Sequence, residues 1–318
     1  MTNAPAPLYF DCDTGVDDTM ALLFLLEQPT VAVVGIGTVS GNVSAEQAAR
    51  NTIDVVALAG YDVPVAIGSH DHLTHAFEGG PAHIHGANGV GDADLPDSGR
   101  MPVAEHAADM IVRLAHQYPG ELRLVAVGPL TNLALALQRE PELPALIKDV
   151  TIMGGAAAVA GNLSPAAEAN VGNDPEAAAA VFDAAWPLTM VGLDVTLEHR
   201  ITEEDRARLL ASDRPVAQFV AATLDIYYDF YVNVYGERCA ALHDPLAVAV
   251  AVGAAVPTLA PVVRAVVDTT DGPNRGRTTA DLRGRKRGYP VWEDAHTTVV
   301  LEIAEPFAPL LIDTILAI

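Results

Sequence analysis

The stretch Asp11-Cys12-Asp13-Thr14-Gly15-Val16-Asp17-Asp18 decides how this chain can fold. It follows the apolar residues Leu8-Tyr9-Phe10 and precedes an apolar helical pattern, so it predicts a short strand that leads directly into a helix. Side chains alternate along a strand, which places Asp11 and Asp13 on one face and Cys12 on the other. The stretch therefore predicts a strand-turn-helix unit with its acids gathered at the turn.

The same turn is a candidate metal site. Gly15 permits a tight turn, and Asp17 and Asp18 then fall in the first turn of the helix, where the backbone dipole favours anions. Crowded carboxylates would hold protons unless a cation neutralised them, and carboxylates with no nearby Lys or Arg point to Ca²⁺ or Mg²⁺. The alternative is a solvated acidic turn in which Asp17 only caps the helix. The apolar strand that leads into the turn favours the metal site.

Composition and charge exclude several classes of partner. Half of the 318 residues are hydrophobic, and 18 Lys and Arg against 41 Asp and Glu give a formal net charge of −23. Such a chain is not expected to bind nucleic acid or an anionic membrane, because phosphate binding needs a basic surface. The longest apolar run, Leu246–Val263, is interrupted by Pro257 and Pro261, which favours a buried helix and strand over a membrane span. With only Cys12 and Cys239 and no export signal, we expect a cytoplasmic protein.

Strand and helix patterns alternate over most of the length. Strands are predicted at Leu8–Asp13, Val31–Val39, Val63–Ile67, Leu122–Val127, Val150–Met153 and Leu188–Val195, with further strands near Val262–Val267 and Thr297–Ile303. Helices are predicted at Asp17–Glu27, Ser44–Ala59, Val103–Gln117, Thr131–Gln138, Pro175–Ala185, from Thr202 through Tyr235, Asp244–Val252 and Pro306–Leu316. This order predicts an α/β fold with an open, mainly parallel sheet flanked by helices, whose ligands bind at the carboxyl ends of the strands. No composition break marks a linker, so a single domain over residues 1–318 is expected.

A long segment with little regular pattern, Ser69–Met101, is rich in histidine and glycine. Long loops in compact domains are often functional. Its five histidines, His70, His72, His75, His83 and His85, raise the alternative of a transition-metal site. Their spacing matches no standard zinc signature, and no cysteine accompanies them. We interpret most of them as loop surface and take His85, next to a glycine, as the candidate to face a ligand.

Two further strand ends carry polar groups. Val127-Gly128-Pro129-Leu130-Thr131-Asn132 passes from strand to helix, which predicts Thr131 as the N-cap and leaves backbone carbonyls free for a hard cation. Another strand ends at Met153-Gly154-Gly155. The loop after it contains Asn162, Glu168 and Asn170. Amides and a carboxylate at this density suit a polyhydroxyl ligand such as a sugar.

His243-Asp244-Pro245 opens a helix and has an internal control. Asn173-Asp174-Pro175-Glu176 carries the same Asp-Pro pair, and there a helix cap and a first-turn proline explain everything. Asp244 can be equally structural. His243 marks the second instance as a candidate site, because imidazole is the usual proton donor near neutral pH.

Taken together, these segments resemble the inosine–uridine-preferring nucleoside hydrolase family. The resemblance rests on Asp11 to Asp18, Gly41-Asn42, His85-Gly86, Gly128 to Asn132, Met153-Gly154-Gly155, Gly161-Asn162 through Asn170, Asp174-Pro175-Glu176 and His243-Asp244-Pro245. They occur in the family's order and span residues 8 to 250. The resemblance implies calcium-dependent hydrolysis of the N-glycosidic bond of ribonucleosides to ribose and free base, by a homodimer or homotetramer.

The resemblance also implies a role for each candidate residue. One Ca²⁺ would be held by Asp13, Asp18, Asp244 and the backbone carbonyl of Thr131, and Asp13 would take a proton from a calcium-bound water. The ribose would be gripped by Asp17, Asn162, Glu168 and Asn170, with Asn42 and Met153 lining the same pocket. The base would meet His85 and His243, with His243 helping to protonate it. One of Tyr227, Tyr228 and Tyr231 would close over it, and the residues do not say which.

Two positions bear on the substrate, and the first departs from the family's usual pattern. Ala169 stands where the family often has a bulky aromatic residue, which would open the pocket beside the base or the 5′ end. Histidine at position 243 is typical of the branch that accepts pyrimidine or broad substrates. Base preference is therefore open at this point.

Two other functions compete. A haloacid-dehalogenase-type phosphohydrolase also begins with strand-borne Asp-x-Asp, which would make Asp11 a nucleophile and Asp13 its acid. The Gly15 position does not match that motif, and only Lys148 and Lys286 could supply its lysine. A non-catalytic, calcium-dependent nucleoside-binding protein would be expected to lack one of the three acidic ligands, and all three are present.

Overall fold

An eight-stranded sheet organises the chain. The structure is a computed structural model that describes residues 4–290 and 292–318. Its strands are β1 Ala6–Cys12, β2 Val31–Thr38, β3 Val65–Ile67, β4 Leu122–Ala126, β5 Ile147–Met153, β6 Leu188–Val191, β7 Arg200–Thr202, β8 Cys239–Ala241, β9 Pro257–Leu259, β10 Val262–Val263, β11 Ala265–Val267, β12 Thr278–Ala280, β13 Thr297–Val300 and β14 Glu302–Ile303. The order across the sheet is β10-β13-β6-β5-β4-β1-β2-β3, with every pair parallel except β10 with β13. The predicted open, mainly parallel sheet is confirmed.

Helices flank this sheet. They are α1 Val16–Leu26, α2 Ala45–Leu58, α3 Ala82–His85, α4 Ala107–Gln117, α5 Thr131–Arg139, α6 Leu143–Leu146, α7 Ala169–Asn173, α8 Pro175–Asp183, α9 Leu193–Thr196, α10 Glu203–Leu210, α11 Pro215–Tyr235, α12 His243–Ala251, α13 Gly284–Arg287 and α14 Ala308–Ala317. Leu8 and Phe10 of β1 pack in one apolar core and Tyr9 packs in a second. Because successive strand residues face opposite ways, the two cores lie on the two faces of the sheet. Across the described residues, no helix has both the length and the apolar composition that a membrane span requires.

The chain reverses its direction across the sheet next to β1. From β1 it proceeds outward through β2 and β3, and then returns to β4 on the other side of β1 and continues through β5 and β6. Loops after β1 and β4 therefore separate above the sheet and leave a crevice at the carboxyl ends of these strands. The acidic turn lies at this point.

Two predicted helices differ from the structure. The helix predicted from Val103 begins at Ala107, because Val103 forms a bridge with Ala66 at the edge of the sheet. The predicted helical region from Thr202 divides into α10 and α11, and Pro215 begins the second helix. A proline tolerates this position because the first-turn N–H needs no intrahelical partner.

Three predicted strands are shorter than their apolar runs. The strand predicted to end at Val195 ends at Val191, and Gly192 caps the short helix α9. The Val262–Val267 run divides into β10, which pairs with β13, and β11, which pairs with β12. The Thr297–Ile303 run likewise divides, and β14 pairs with β9. A run of β-branched residues indicates a strand but does not specify its partner, so a change of partner interrupts it.

Candidate metal and substrate site

Asp18 closes the turn between β1 and α1. Its Oδ1 accepts a hydrogen bond from the Asp13 N–H at 3.1 Å, and its Oδ2 accepts one from the Gly15 N–H at 2.8 Å. Gly15 is the N-cap of α1, so Asp17 and Asp18 lie in the first helical turn, as the sequence predicted. The helix dipole favours negative charge there. The turn therefore holds its acids at the end of β1 by its own backbone.

A second helix start supplies another carboxylate. Asp17, Asp18 and Asp244 each place one carboxylate oxygen within 4.8 Å of the other two, and all three residues are buried. Asp244 lies in the first turn of α12, where it makes no side-chain cap, whereas Asp174 caps α8 by accepting from the Ala177 N–H at 3.1 Å. The two Asp-Pro pairs therefore differ in role. Asp174 is a helix cap and Asp244 is not. This carboxylate group includes Asp17, which the resemblance assigned to the ribose.

Asp13 lies beside this group. Its Oδ2 accepts a hydrogen bond from the Asn42 N–H at 2.7 Å, and its Oδ1 is buried without a hydrogen-bond partner among the described residues, as is Asp17 Oδ1. A Cβ atom on Gly41 would lie 2.0 Å from Asp13 Oδ2, so the loop after β2 approaches this closely only as glycine. Two buried carboxylate oxygens are left available to a ligand.

Burial raises the pKa of all four carboxyl groups. For Asp18, burial and then the charge of Asp17 raise the pKa to about 6. Burial and then Asp18 raise the pKa of Asp13 well above its usual range, and burial followed by the three neighbouring acids does the same for the pKa of Asp244. Burial also raises the pKa of Asp17. A cation would relieve both the mutual repulsion and the unpartnered oxygens, and this set of hard oxygen donors fits Ca²⁺ or Mg²⁺.

Asn42 contacts the acidic group from the loop after β2, and Thr131 lies at the start of α5 after β4. The Asn42 side-chain amide donates to Asp18 Oδ2 at 3.0 Å. Thr131 is fully buried at the start of α5, and its hydroxyl donates to Asp174 Oδ2 at 2.7 Å. The prediction that Thr131 is the N-cap is wrong, because α5 begins at Thr131 and Leu130 occupies the cap position. The Thr131 hydroxyl is free to bond Asp174 because it does not cap the helix.

Glu168 and Asn170 lie at the ends of β4 and β5. Glu168 is the N-cap of α7, and its carboxylate accepts from the N–H groups of Asn170 at 2.8 Å, Gly155 at 2.8 Å and Val171 at 3.1 Å. Burial nevertheless raises its pKa. The Asn170 amide donates to the Val127 carbonyl at 2.7 Å. Backbone groups therefore hold both side chains in place before any ligand arrives.

Met153 and Asn162 differ in how they join this loop. Met153 is buried at the end of β5, where its carbonyl accepts from the Asn170 amide at 3.1 Å and its sulfur lies 3.4 Å from the same nitrogen. Asn162 is exposed, and its side-chain oxygen accepts from the Ala169 N–H at 2.9 Å. Met153 thus lies within the site, whereas Asn162 is at its rim.

One wall of the site, here called the histidine–tyrosine wall, consists of His85, His243, Tyr227 and Tyr231. His85 Nδ1 accepts from the Val16 N–H at 3.2 Å and lies 3.9 Å from Asp17 Oδ1, and its ring is 5.4 Å from that of Tyr227. Because Nδ1 accepts, the proton of the neutral ring is on Nε2. Burial lowers the pKa of His85 to about 3, so the ring is neutral near pH 7.

His243 sits in a chain of hydrogen-bonding groups. Its Nε2 lies 2.7 Å from the Tyr231 hydroxyl, and its Nδ1 lies 2.7 Å from the Thr196 hydroxyl. Burial lowers the pKa of His243, and the charge of Asp17 acts in the opposite direction. Sequence reasoning missed Thr196, because no local motif marks it and the residues before it in α9, through Val195, are predicted as the end of a strand.

The structure distinguishes the three tyrosines of α11. Tyr227 and Tyr231 pack edge to face with ring centroids 5.0 Å apart, on the side that faces His85 and His243. The Tyr228 hydroxyl instead donates to the Thr202 carbonyl at 2.8 Å. Tyr228 therefore faces away from the site.

The other loop histidines are mostly surface residues. His70, His75 and His83 are exposed, as predicted. His72 is buried, which the sequence did not predict, and its ring packs 4.7 Å from that of His75.

Known proteins share both the sequence and the fold. A model of the inosine-uridine preferring nucleoside hydrolase family matches residues 8–306. The chain is 37% identical over 279 residues to a probable uridine nucleosidase 2 of Arabidopsis thaliana, with 87% of this chain and 84% of that protein covered. It is 38% identical over 245 residues to a pyrimidine-specific ribonucleoside hydrolase of Shewanella woodyi, with 76% and 78% covered. The solved structure of a purine-preferring ribonucleoside hydrolase from Gardnerella vaginalis superposes with a TM-score of 0.89 at 35% identity, over 98% of each chain.

Proposed function

This chain belongs to the inosine-uridine preferring nucleoside hydrolase family and hydrolyses ribonucleosides at a metal-dependent site, and we propose that the metal is Ca²⁺. Asp13, Asp18, Asp244 and the backbone carbonyl of Thr131 would hold it. The observation that carries the proposal is the buried group of Asp17, Asp18 and Asp244 with Asp13 beside it. Asp13 Oδ1 and Asp17 Oδ1 have no hydrogen-bond partner among the described residues. Ca²⁺ suits this set because it accepts carboxylate and carbonyl oxygens in irregular numbers. When bound, the ion lowers the pKa of the attacking water.

Asp13 is the proposed general base. Its Oδ2 is held by the Asn42 N–H, which leaves Oδ1 to accept a proton from the attacking water. Burial alone raises the pKa of Asp13, and the neighbouring cation would oppose this and keep the carboxylate ionised to accept a proton. Its position two residues beyond the fully buried Asp11 gives it a rigid support.

The ribose is proposed to lie across the polar groups at the ends of β1, β4 and β5. Asp17 Oδ1 has no hydrogen-bond partner in the part of the chain that the structure describes, and it can accept a hydrogen bond from a ribose hydroxyl. The Asn170 amide nitrogen is held by backbone carbonyls, which leaves its amide oxygen for the sugar. Glu168 places a buried negative charge where positive charge develops as the C–N bond breaks. Asn42, Met153 and Asn162 complete the proposed pocket.

The departing base is proposed to meet the histidine–tyrosine wall. His243 would supply a proton to the base, with Tyr231 at 2.7 Å as the adjacent donor and acceptor. His85 and Tyr227 would lie beside it. Protonation of the leaving group matters because the base would otherwise have to leave as an anion, which is a poor leaving group.

We further propose pyrimidine ribonucleosides, uridine first, as the preferred substrates. The similarity to a probable uridine nucleosidase and a pyrimidine-specific hydrolase supports this preference, as does histidine at position 243. A single domain over residues 1–318, a cytoplasmic location and a homodimer or homotetramer that binds no nucleic acid and no membrane remain predictions from the sequence.

The test is release of reducing sugar from uridine, cytidine, inosine and adenosine, with and without a strong calcium chelator. We expect ribose from uridine, loss of activity on chelation, and recovery with Ca²⁺ in preference to Mg²⁺. Recovery with Mg²⁺ alone would overturn the assignment of the ion. A stronger preference for inosine would overturn the assignment of the substrate. Absence of ribose from every nucleoside, with nucleoside still bound, would favour the non-catalytic binding protein.

A further inference from the structure

Asp11 is a buried carboxylate that the proposed reaction does not use. It is fully buried, and its oxygens accept hydrogen bonds from the Tyr9 hydroxyl at 2.6 Å and from the Asn132 amide at 3.1 and 3.2 Å. It has no Lys or Arg partner among the described residues. These contacts also exclude Asp11 as the exposed nucleophile of a phosphohydrolase. Burial of a carboxylate is costly unless hydrogen bonds offset it, so its place in the fold needs a reason.

Asn132 connects Asp11 to two other strand ends. Its amide nitrogen also donates to the Thr38 carbonyl at 2.9 Å, and its amide oxygen accepts from the Ser69 N–H at 2.9 Å. Asn132 is fully buried in the first turn of α5. One side chain thus joins the ends of β1 and β2, the residues after β3, and the start of α5.

The peptide unit between Thr131 and Asn132 is held from both sides. The Thr131 hydroxyl donates to Asp174 Oδ2 at 2.7 Å, while the Asn132 side chain is held by Asp11. The carbonyl of this unit is the proposed backbone ligand for the ion. Asp11 lies two residues before Asp13, a ligand on the same strand end. The Asp11–Asn132 contact therefore spans the two chain segments that supply these ligands.

Two glycines make room for this network. A Cβ atom on Gly37 would lie 1.8 Å from the Tyr9 hydroxyl and 2.6 Å from Asp11 Oδ2. One on Gly68 would lie 2.2 Å from Asn132 Oδ1 and 2.3 Å from the Thr38 carbonyl oxygen. Real Cβ atoms do not approach this closely, so both positions must be glycine for the network to form.

We propose that Asp11 and Asn132 form a clamp that positions the Thr131 carbonyl and Asp13 relative to each other for binding Ca²⁺. The proposal rests on the proposed function, because it concerns the same ion. Both are positioning residues, since neither touches the substrate or the ion. A carboxylate at position 11 accepts from Tyr9 and Asn132 together, whereas an amide offers a single acceptor and no negative charge, so that the Tyr9 hydroxyl would have to accept instead of donate.

The test compares Asp11→Asn and Asn132→Ala with the wild type by calorimetric titration of Ca²⁺ into the ion-free protein. We expect each variant to bind Ca²⁺ on the order of 10- to 100-fold more weakly, as is usual when a partner of a metal ligand is lost. The Ca²⁺ concentration that half-activates uridine hydrolysis should rise equally, while kcat at saturating Ca²⁺ changes much less. Circular dichroism confirms that each variant is folded.

The matched control is Asp54→Asn. Asp54 is a buried carboxylate on α2 that accepts from Arg50 at 2.9 and 3.0 Å and from the Ser98 N–H at 2.8 Å. This variant should lose stability without losing Ca²⁺ affinity. Wild-type affinity in Asp11→Asn, equal weakening in Asp54→Asn, or failure of both clamp variants to fold would overturn the clamp. Failure of the wild type to bind Ca²⁺ would instead overturn the proposed ion and the clamp with it.

Discussion

Asp13 and Asp17 each have one carboxylate oxygen without a partner among the described residues, but the two side chains are held in different ways. Asp13 has one oxygen fixed by the Asn42 N–H and one free, whereas Asp17 lies in the first turn of α1 beside Asp18 and Asp244. Fixing one oxygen orients the other, and a proton acceptor needs that geometry. This difference supports the proposal that Asp13 accepts the proton and Asp17 binds the sugar.

Replacement of Asp13 by asparagine tests the base. Asp13→Asn keeps the shape of the side chain but removes the basic oxygen, so turnover should fall about 10²- to 10⁴-fold while the fold and nucleoside binding are retained. Steady-state kinetics on uridine at saturating Ca²⁺, with binding measured separately, gives the answer. The control is Asp97→Asn, an exposed loop acid, which should leave turnover unchanged. Turnover like that of the wild type in Asp13→Asn would rule out the base assignment.

Replacement of His243 by alanine tests the proton donor. His243→Ala should reduce hydrolysis of uridine far more than that of a nitrophenyl riboside, because an activated leaving group needs no proton. Tyr231→Phe should act in the same direction to a smaller extent. Tyr228→Phe is the matched control, since its hydroxyl bonds the Thr202 carbonyl outside the site. Equal losses on both substrates in His243→Ala would argue against an acid role.

At the scale of elements, the placement of α11 determines where two tyrosines lie beside the site histidines. It carries Tyr227 and Tyr231, and an ionic network joins it to its neighbours. Arg238 bonds Glu203 of α10 at 2.9 Å and Asp225 of α11 at 2.6 Å, and it also pairs with Asp229. Several acids that share one guanidinium hold geometry better than separate surface pairs.

Removal of this arginine tests the network. Arg238→Ala should lower the free energy of unfolding by about 1 kcal/mol, a value kept small because the side chain is partly exposed and solvent screens its pairs. Urea denaturation measures it. The control is Arg208→Ala, which removes a single exposed pair with Asp313 at 2.7 Å and should cost less than about 0.5 kcal/mol. An equal cost for the two variants would mean that the network adds nothing.

At the scale of the whole molecule, the ion couples local electrostatics to stability. Carboxylates from α1 and α12, far apart in the chain, repel one another when no cation separates them. The net charge of −23 adds to this general repulsion. Ion binding therefore stabilises the folded chain as a whole, since the unfolded chain has no such site.

Removal of Ca²⁺ should lower the melting temperature. An ion present at 100 times its Kd should add about 2.7 kcal/mol to the free energy of unfolding. Protons compete with the ion for ionised carboxylates, and the pKa of Asp18 in the ion-free protein is raised to about 6. The increment should therefore be full at about pH 8 and shrink as the pH falls through about 6. Thermal denaturation with Ca²⁺ and with chelator at several pH values measures it, and Asp244→Asn should abolish the difference.

The sequence by itself determined the fold class and the candidate groups for the chemistry, together with the strand ends and helix starts at which they lie. The turn from Asp11 to Asp18, the helix start at His243 and the loop from Gly161 to Asn170 are local patterns. Within a few positions, their residue types indicate strand alternation, turns and helix starts. The parallel sheet followed as well, because buried strands that alternate with helices have few other ways to pack.

Only the tertiary structure decided which of these groups meet. Asp244 joins Asp17 and Asp18 across more than two thirds of the chain, and Asp11 meets Asn132 across 121 positions. Tyr228 faces away from a site that its neighbour Tyr227 lines. Such pairings depend on the order of strands and the rotation of helices about their axes. Those are set by packing among distant residues, which no short stretch of sequence encodes.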